Sequence, residues 1–308
     1  MPLTDLAVTT AETRPELSSD ADRVRLEAGL DALEAPPKAR LSGRRTLGRV
    51  VPPAVAVLVL VAVWQGAVSA HLKPSYVVPG PLDVWSSLAA QWQHGRVQHA
   101  VWNSLHRAVL GFGLSLLIGT PLGLLVARAR PVRRAIGPIL SGLQSLPSVA
   151  WVPAAIIWFG LTDAAIYAVV LLGAVPSIAN GMVAGVDQVP PLYLRVGRVL
   201  GARGLTAVRH VLLPAALPGY LAGLKQGWAF AWRSLMAAEL IAFSPKLGLG
   251  LGQLLDTGRQ LSDMSLVLAI ILVILAVGIG IDLLVFAPLE RRVLRRRGLT
   301  TGAPAGRG

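Results

Sequence analysis

The chain has 308 residues, of which 54% are hydrophobic and only 15% are charged. A soluble domain carries about 25% charged residues, so this balance indicates that lipid is the solvent. The absence of cysteine excludes disulfides, thiolate metal sites and a cysteine nucleophile. The net charge of +13 suits nucleic acid or a membrane surface. Because the basic residues cluster beside apolar segments, membrane lipid is the expected partner and nucleic acid is not.

The amino-terminal part divides into a polar stretch and a first apolar run. Residues 1–49 mix acidic and basic side chains, and we expect a mobile cytosolic tail there. Residues 50–70 start too late for a signal peptide but are long enough to span a bilayer. Residues 71–102 should follow outside the membrane, with an interfacial helix at residues 83–92.

Five more apolar runs predict an all-α membrane protein with six transmembrane helices. Their expected bounds are residues 103–127, 135–160, 164–185, 218–243 and 264–287. They form a transmembrane core over residues 103–288, and a basic cytosolic tail fills residues 289–308.

The distribution of basic residues predicts the orientation of these spans. The segments assigned inside hold 22 Lys and Arg residues, against 4 in the segments assigned outside. By the positive-inside rule, both termini should lie in the cytosol of a bacterial inner membrane. The three remaining basic residues, Arg107, Lys225 and Arg233, fall inside spans.

The spans are rich in glycine and proline. Gly119 and Gly123 form a Gly-x-x-x-Gly pattern, which favours close helix approach in lipid. Five prolines are expected to interrupt or kink helices where neighbours satisfy the freed carbonyls: Pro121, Pro138, Pro147, Pro153 and Pro176.

The polar segment at residues 187–218 predicts a helix, a turn and a second helix on the cytosolic side. Pro190 and Pro191 favour a helix start, and Gly201 and Gly204 should interrupt it. We expect Thr206 to cap a second short helix that ends at Pro214. The first helix has an apolar face at helical spacing, suited to a groove on a soluble partner: Leu192, Val196, Val199 and Leu200.

This segment resembles the cytosolic loop of binding-protein-dependent ABC importer permeases of the type I fold. That loop carries a Glu-Ala-Ala triplet, a glycine and an Ile-x-Leu-Pro sequence. Gly201 takes the glycine position, and Val211, Leu213 and Pro214 take the last motif. The triplet is replaced by Arg195, Val196 and Gly197, which reverses the charge at its first position.

The resemblance extends over about residues 75–297 and is closest to the sulfonate, taurine and nitrate permeases. It is carried by the strings YVVPGPLDVW, LQSLPSVAWVPAAIIWFGL and WRSLMAAELI and by the tail ERRVLRRR. It implies a homodimeric pore, a cytosolic ATPase at each coupling helix and an extracytoplasmic solute-binding protein. The expected solute is an aliphatic sulfonate, with nitrate, bicarbonate, taurine or a pyrimidine precursor as alternatives.

The chain itself has no G-x-x-x-x-G-K-[ST] loop, so it should not be an enzyme, and ATP and Mg should bind the partner ATPase. No cofactor is expected in this chain. His94, His99 and His106 lack a carboxylate cluster, so no metal site is expected. An intramembrane enzyme would need catalytic pairs that are missing, and an ion-driven secondary transporter would leave the polar segment unexplained.

Four side chains of the fifth span are candidates for the translocation pathway: Arg233, Trp232, Trp228 and Glu239. A cation at mid-membrane usually faces a cavity or a partner, and Arg233 would suit an anionic solute. Structural pairing with a basic residue is the preferred interpretation of Glu239. Lys225 and Asp282 are expected to snorkel or to pair with each other.

Overall fold

A computed structural model describes residues 43–70, 74, 76–242, 244 and 247–296, with only the backbone at residues 43–50 and 296. Residues 1–42 of the tail expected over residues 1–49, and the last residues, 297–308, lie outside the described part. The described part of the chain divides into two compact units, with the boundary between residues 60 and 61. All regular elements in the described ranges are helical, as the apolar runs predicted.

The first half of the chain forms six α-helices. They are α1 Gly43–Ser69, α2 Pro81–Gln93, α3 Arg96–Arg128, α4 Arg130–Ser145, α5 Val152–Phe159 and α6 Asp163–Asp187. A short 3₁₀ turn, Ser148–Trp151, precedes α5. Helix α1 begins ahead of residue 50, so part of the polar stretch expected to be mobile is helical. Helix α2 confirms the short helix expected at residues 83–92.

The second half of the chain also forms six α-helices, of which the first two are short. They are α7 Pro191–Val199, α8 Gly204–Ala207, α9 Leu213–Ile241, α10 Leu251–Gln260, α11 Met264–Ile281 and α12 Ala287–Arg296. A π-helical turn, Val208–Leu212, joins α8 to α9, and another, Asp282–Phe286, joins α11 to α12.

Five continuous helices in the described residues are long and apolar enough to cross a membrane. Their bounds are Val51–Ser69, Arg96–Arg128, Asp163–Asp187, Gly204–Ile241 and Met264–Arg295. The pair Arg130–Ser145 and Ser148–Phe159 makes a sixth if the two are counted as one broken span.

The third span is therefore not the single helix expected at residues 135–160. Its two parts meet at a bend of 98°. Pro147 explains the break, since it has no N–H to donate and forces Leu146 before it into an extended conformation (ψ 128°). Helices run on through Pro121, Pro138 and Pro176, and Pro153 lies in the first turn of α5. Of the five prolines, only Pro147 marks a break.

Helix α6 lies at the centre of the bundle and packs along both α3 and α9. Its contact with α3 confirms the expectation for the Gly-x-x-x-Gly pattern. A Cβ atom on Gly123 would lie 2.6 Å from the Ala179 carbonyl oxygen and 2.7 Å from Met182 Cβ. A side chain there would push the two backbones apart.

The α6–α9 contact is closer still. Gly181 of α6 faces Gly223 of α9, and a Cβ on either would run into the other's backbone. One turn further on, a Cβ on Gly185 would lie 2.8 Å from the Ala216 oxygen, and one on Gly219 would lie 2.8 Å from Gly185 Cα. We call these four glycines the glycine seam. They place the antiparallel α6 and α9 backbones in direct contact, with Asp163 at one end of the bundle and Asp187 at the other.

Candidate functional site: a helical hook and a charged cluster

The polar segment folds as a hook at the Asp187 end, formed by α7, the turn 200–203 and α8. Helix α7 starts with Pro191 at its first position, where no N–H is needed. Gly197 of α7 is buried against the π-turn Val208–Leu212. A Cβ atom at this position would lie only 2.9 Å from Val211 Cγ2. Gly197 therefore sets how closely α7 can approach the start of the long span.

The turn of the hook needs glycine for its backbone conformation. Gly201 (φ +83°) and Gly204 (φ +56°) are both left-handed, and a Cβ at either would meet no atom within 4 Å. The Ala202 N–H donates to the Gly197 oxygen (2.8 Å) and the Gly201 N–H to the Arg198 oxygen (3.1 Å). This pair of bonds is a Schellman motif, which ends α7 sharply. The predicted interruption at Gly201 and Gly204 is confirmed.

The second short helix expected to end at Pro214 does not end there. From Gly204 the chain stays helical to Ile241, and Arg203, not Thr206, is the residue at its N-cap. The π-turn explains why Pro214 is tolerated. The Leu213 N–H bonds to the Val208 oxygen five residues back, a wider spacing that accommodates a proline without an N–H.

The seven predicted coupling residues all lie in or beside the hook. Val196, Gly197, Val211 and Pro214 line one open groove of about 870 Å³ beneath α7. Leu213 is half-buried next to it, Arg195 is exposed on α7, and Gly201 forms the turn.

The outer surface of the hook is apolar and basic. Val199, Leu200 and Leu205 are 87%, 79% and 86% exposed, although all three are large and hydrophobic. No acidic residue occurs between residues 188 and 214. The apolar side chains are instead surrounded by four exposed arginines, Arg195, Arg198, Arg203 and Arg209. An exposed apolar patch of this kind with a polar rim is typical of a protein–protein contact.

A surface ion pair holds α4 against α6 at the same end. Arg133 donates from Nη1 to Asp187 Oδ1 at 2.9 Å, and from Nη2 to Oδ2 at 2.5 Å. Asp187 is the last residue of α6, so this bidentate pair connects the start of α4 to the entry of the hook. Charge alone did not reveal which arginine pairs with Asp187, because Arg128, Arg130, Arg133 and Arg134 are close together in the sequence.

The Asp163 end carries a buried charged cluster around Glu239, which is completely inaccessible to solvent. Glu239 accepts from Arg107 Nη1 (3.1 Å), Ser104 Oγ (2.6 Å) and the Gly252 N–H (3.1 Å). Arg107 Nε also donates to Asp163 Oδ1 at 2.8 Å. The preferred interpretation of Glu239 as a structurally paired residue is confirmed.

The same cluster positions α10, a helix that the sequence did not predict within the glycine-rich residues 244–263. The Leu251 N–H donates to Ser104 Oγ at 2.8 Å, and Asn103 Nδ2 to the Leu249 oxygen at 2.9 Å. With Glu239 on the Gly252 N–H, α3 and α9 together satisfy the free amides at the start of α10.

The four pathway candidates do not share a surface. Trp228 and Trp232 are buried and stacked, with ring centroids 6.4 Å apart, and Phe112 packs edge-on against Trp228 at 5.4 Å. Arg233, by contrast, is exposed. The Lys225–Asp282 pair predicted as one of two alternatives is confirmed, at 2.8 Å between Nζ and Oδ1.

Comparisons with known proteins agree with this architecture. The taurine transport system permease protein TauC of Escherichia coli K12 is 31% identical over 255 residues, covering 78% of this chain and 90% of TauC. The nitrate import permease protein NrtB of Leptolyngbya laminosa is 29% identical over 237 residues, covering 74% and 83%. A MetNI methionine ABC transporter chain in inward-facing form shares the fold, with a TM-score of 0.56 and 21% identity over 65% of this chain and 97% of that one.

The family assignment rests on more than half of the chain. The family described as binding-protein-dependent transport system inner membrane component matches residues 119–295, from the Gly-x-x-x-Gly pattern on α3 to the end of α12. This range includes the hook and both π-turns. The chain belongs to this family and is a multi-pass inner-membrane permease of an ABC importer.

Proposed function

We propose that the chain forms the translocation pathway for a small anionic solute, an aliphatic sulfonate as first choice, and that the hook couples it to a separate ATPase. The carrying observation is the outer surface of the hook, where large apolar side chains are exposed among four exposed arginines. An apolar patch of this kind fits a groove on a soluble partner.

The proposal includes an arrangement in the membrane. Both termini and the hook lie in the cytosol, so the Asp163 end faces outward, where a solute-binding protein docks. ATP and Mg bind the ATPase subunits. The count of 22 basic residues inside against 4 outside supports this orientation.

Two copies of the chain are expected to enclose the pathway. On α9, Gln226 and Arg233 are exposed on one face of a helix that crosses the membrane. Polar groups at this depth need a partner or a water-filled cavity, and a second copy supplies both.

The sulfonate is favoured by the similarity to the taurine permease, since taurine is itself an aminoalkyl sulfonate. Nitrate is the second candidate, because the nitrate permease is nearly as similar. Bicarbonate and pyrimidine precursors remain further alternatives.

The test of the hook is a paired substitution of exposed residues. Val199→Asp with Leu205→Asp should leave insertion and folding unchanged, because both side chains are free of packing. Co-purification of the cognate ATPase and ATP-driven uptake should both be lost. Leu261→Asp, at an exposed leucine of the Asp163 end, is the matched control and should keep the co-purification of the ATPase. Equal ATPase recovery with the hook variant would refute the docking proposal.

A further inference from the structure

Arg233 differs from the other basic residues inside the spans. Arg107 is paired with Glu239 and Asp163, and Lys225 is paired with Asp282. Arg233 makes no ion pair with any described acidic residue. A cation that stays charged inside a membrane without a counter-ion is costly, so such a residue normally marks a path for ions or polar solutes.

The direction of the side chain argues against snorkelling. Arg233 lies eight residues before Ile241, about 12 Å from the nearer end of α9 at 1.5 Å per residue. A snorkelling side chain would extend toward that end. Arg233 instead folds back: its Nε donates to the Ala229 oxygen at 3.2 Å, and its guanidinium carbon lies 4.6 Å from the Phe230 ring centroid. The charge therefore points toward the middle of the membrane.

The face of α9 that carries Arg233 has small and polar side chains. Ala222, Gln226, Ala229 and Arg233 recur at helical spacing and are all exposed. Two alanines on such a face leave room beside the guanidinium for a bound molecule.

A cavity extends from this face toward the Asp187 end. It has a volume of about 390 Å³ and is lined by Lys225, Gln226 and Ala229 of α9, with Phe286 and Glu290 opposite. Ala229 both lines the cavity and accepts the hydrogen bond from Arg233. Arg233 thus lies one helical turn from this cavity, on the side of the Asp163 end, and a solute bound in the cavity would be close to its guanidinium.

We infer that Arg233 is an anion-contacting residue of the translocation pathway, binding the oxyanion group of the solute during passage. The inference rests on the proposed function and deepens it. A guanidinium presents a planar fork of N–H donors that matches the oxygens of a sulfonate or nitrate. Nε is already committed to Ala229, and the two terminal nitrogens have no hydrogen bond within the described residues.

The first test measures uptake and ATP hydrolysis in vesicles holding the whole importer, with two probes: taurine, which carries a sulfonate group, and the nitrate anion. Arg233→Gln should lower uptake of the transported probe about ten- to hundredfold, the cost of a lost charge-assisted hydrogen bond. ATP hydrolysis should persist, since the hook is untouched. Arg292→Gln, at an exposed arginine of α12, is the control and should transport normally. Normal uptake by Arg233→Gln would overturn the inference.

The second test uses the absence of cysteine in the chain. Arg233→Cys should react with water-soluble methanethiosulfonate reagents, whereas Leu117→Cys, on an apolar exposed face of α3, should not. Restoring a positive charge with the cationic reagent should recover uptake, and the anionic reagent should not. An unreactive cysteine at 233, or equal recovery by both reagents, would also overturn the inference. Failure of the wild-type complex to take up either probe would count against the proposed solute class instead.

Discussion

Gly197 offers the sharpest test of how the hook is fixed to the membrane span. In Gly197→Ala the new Cβ would lie 2.9 Å from Val211 Cγ2, whereas carbon atoms in good contact are about 3.5–4.0 Å apart. Helix α7 must therefore move by about 0.6–1.1 Å or force Val211 aside. Overpacking of this size costs about 1–3 kcal/mol.

Because the hook is an exposed unit, we expect α7 to shift rather than the bundle to unfold. A loss of about 1–3 kcal/mol in the free energy of ATPase binding weakens the affinity by about 5- to 150-fold. The measurement is the concentration of purified ATPase needed for half-maximal ATP-driven uptake in permease vesicles, which should rise in Gly197→Ala by a factor in that range.

Two further variants separate the clash from other effects of alanine. Gly137→Ala introduces the same methyl group into helix α4, where no atom lies within 4 Å, and should behave as wild type. Val211→Ala removes both γ-carbons, leaving Val211 Cβ at 3.7 Å, an ordinary contact. Gly197→Ala with Val211→Ala should then recover ATPase affinity. The reasoning is refuted if Gly197→Ala matches Gly137→Ala, or if the double variant gains nothing over the single one.

Two other predictions concern the stability of the bundle. Glu239→Gln removes the buried carboxylate that pairs with Arg107 and should lower the free energy of unfolding by about 3–5 kcal/mol. Thermal unfolding in detergent measures this loss. The double variant Arg107→Met with Glu239→Leu should lose less stability than the single one, because it leaves no unpaired buried charge. Gly181→Leu should prevent folding, because its side chain would occupy the position of the Gly223 backbone, while Gly113→Leu, with open space around it, should give monodisperse protein in the same detergent.

The sequence was sufficient to predict the features that depend on local pattern. Apolar runs predicted the spans, and Gly201 and Gly204 predicted the turn of the hook, because a left-handed backbone requires glycine. For Lys225 and Asp282, which lie near the cytosolic ends of their helices, the sequence left snorkelling and mutual pairing as alternatives, and the structure shows the pair.

What could not be predicted depends on contacts distant in the chain. Helix α10 forms in a glycine-rich stretch because Ser104 and Glu239, which are far apart in sequence, bond to its first amides. The start of the fifth membrane span at Gly204, where residue 218 was expected, was missed for another reason. Pro214 is a helix breaker in an α-helical register, and only the wider π-turn before it makes the continuous helix possible.

The contact between Gly181 and Gly223 has a mechanical consequence. With no side chains between them, the α6 and α9 backbones cannot slide or rotate against each other without a steric clash, so the pair behaves as one stiff beam. The hook lies at one end of this pair of helices. Near the other end, Glu239 of α9 accepts hydrogen bonds from Ser104 of α3 and Gly252 of α10 and so holds both helices to the pair. A push on the hook would therefore reach the opposite face of the membrane as a tilt of the whole beam, with little of the displacement absorbed on the way.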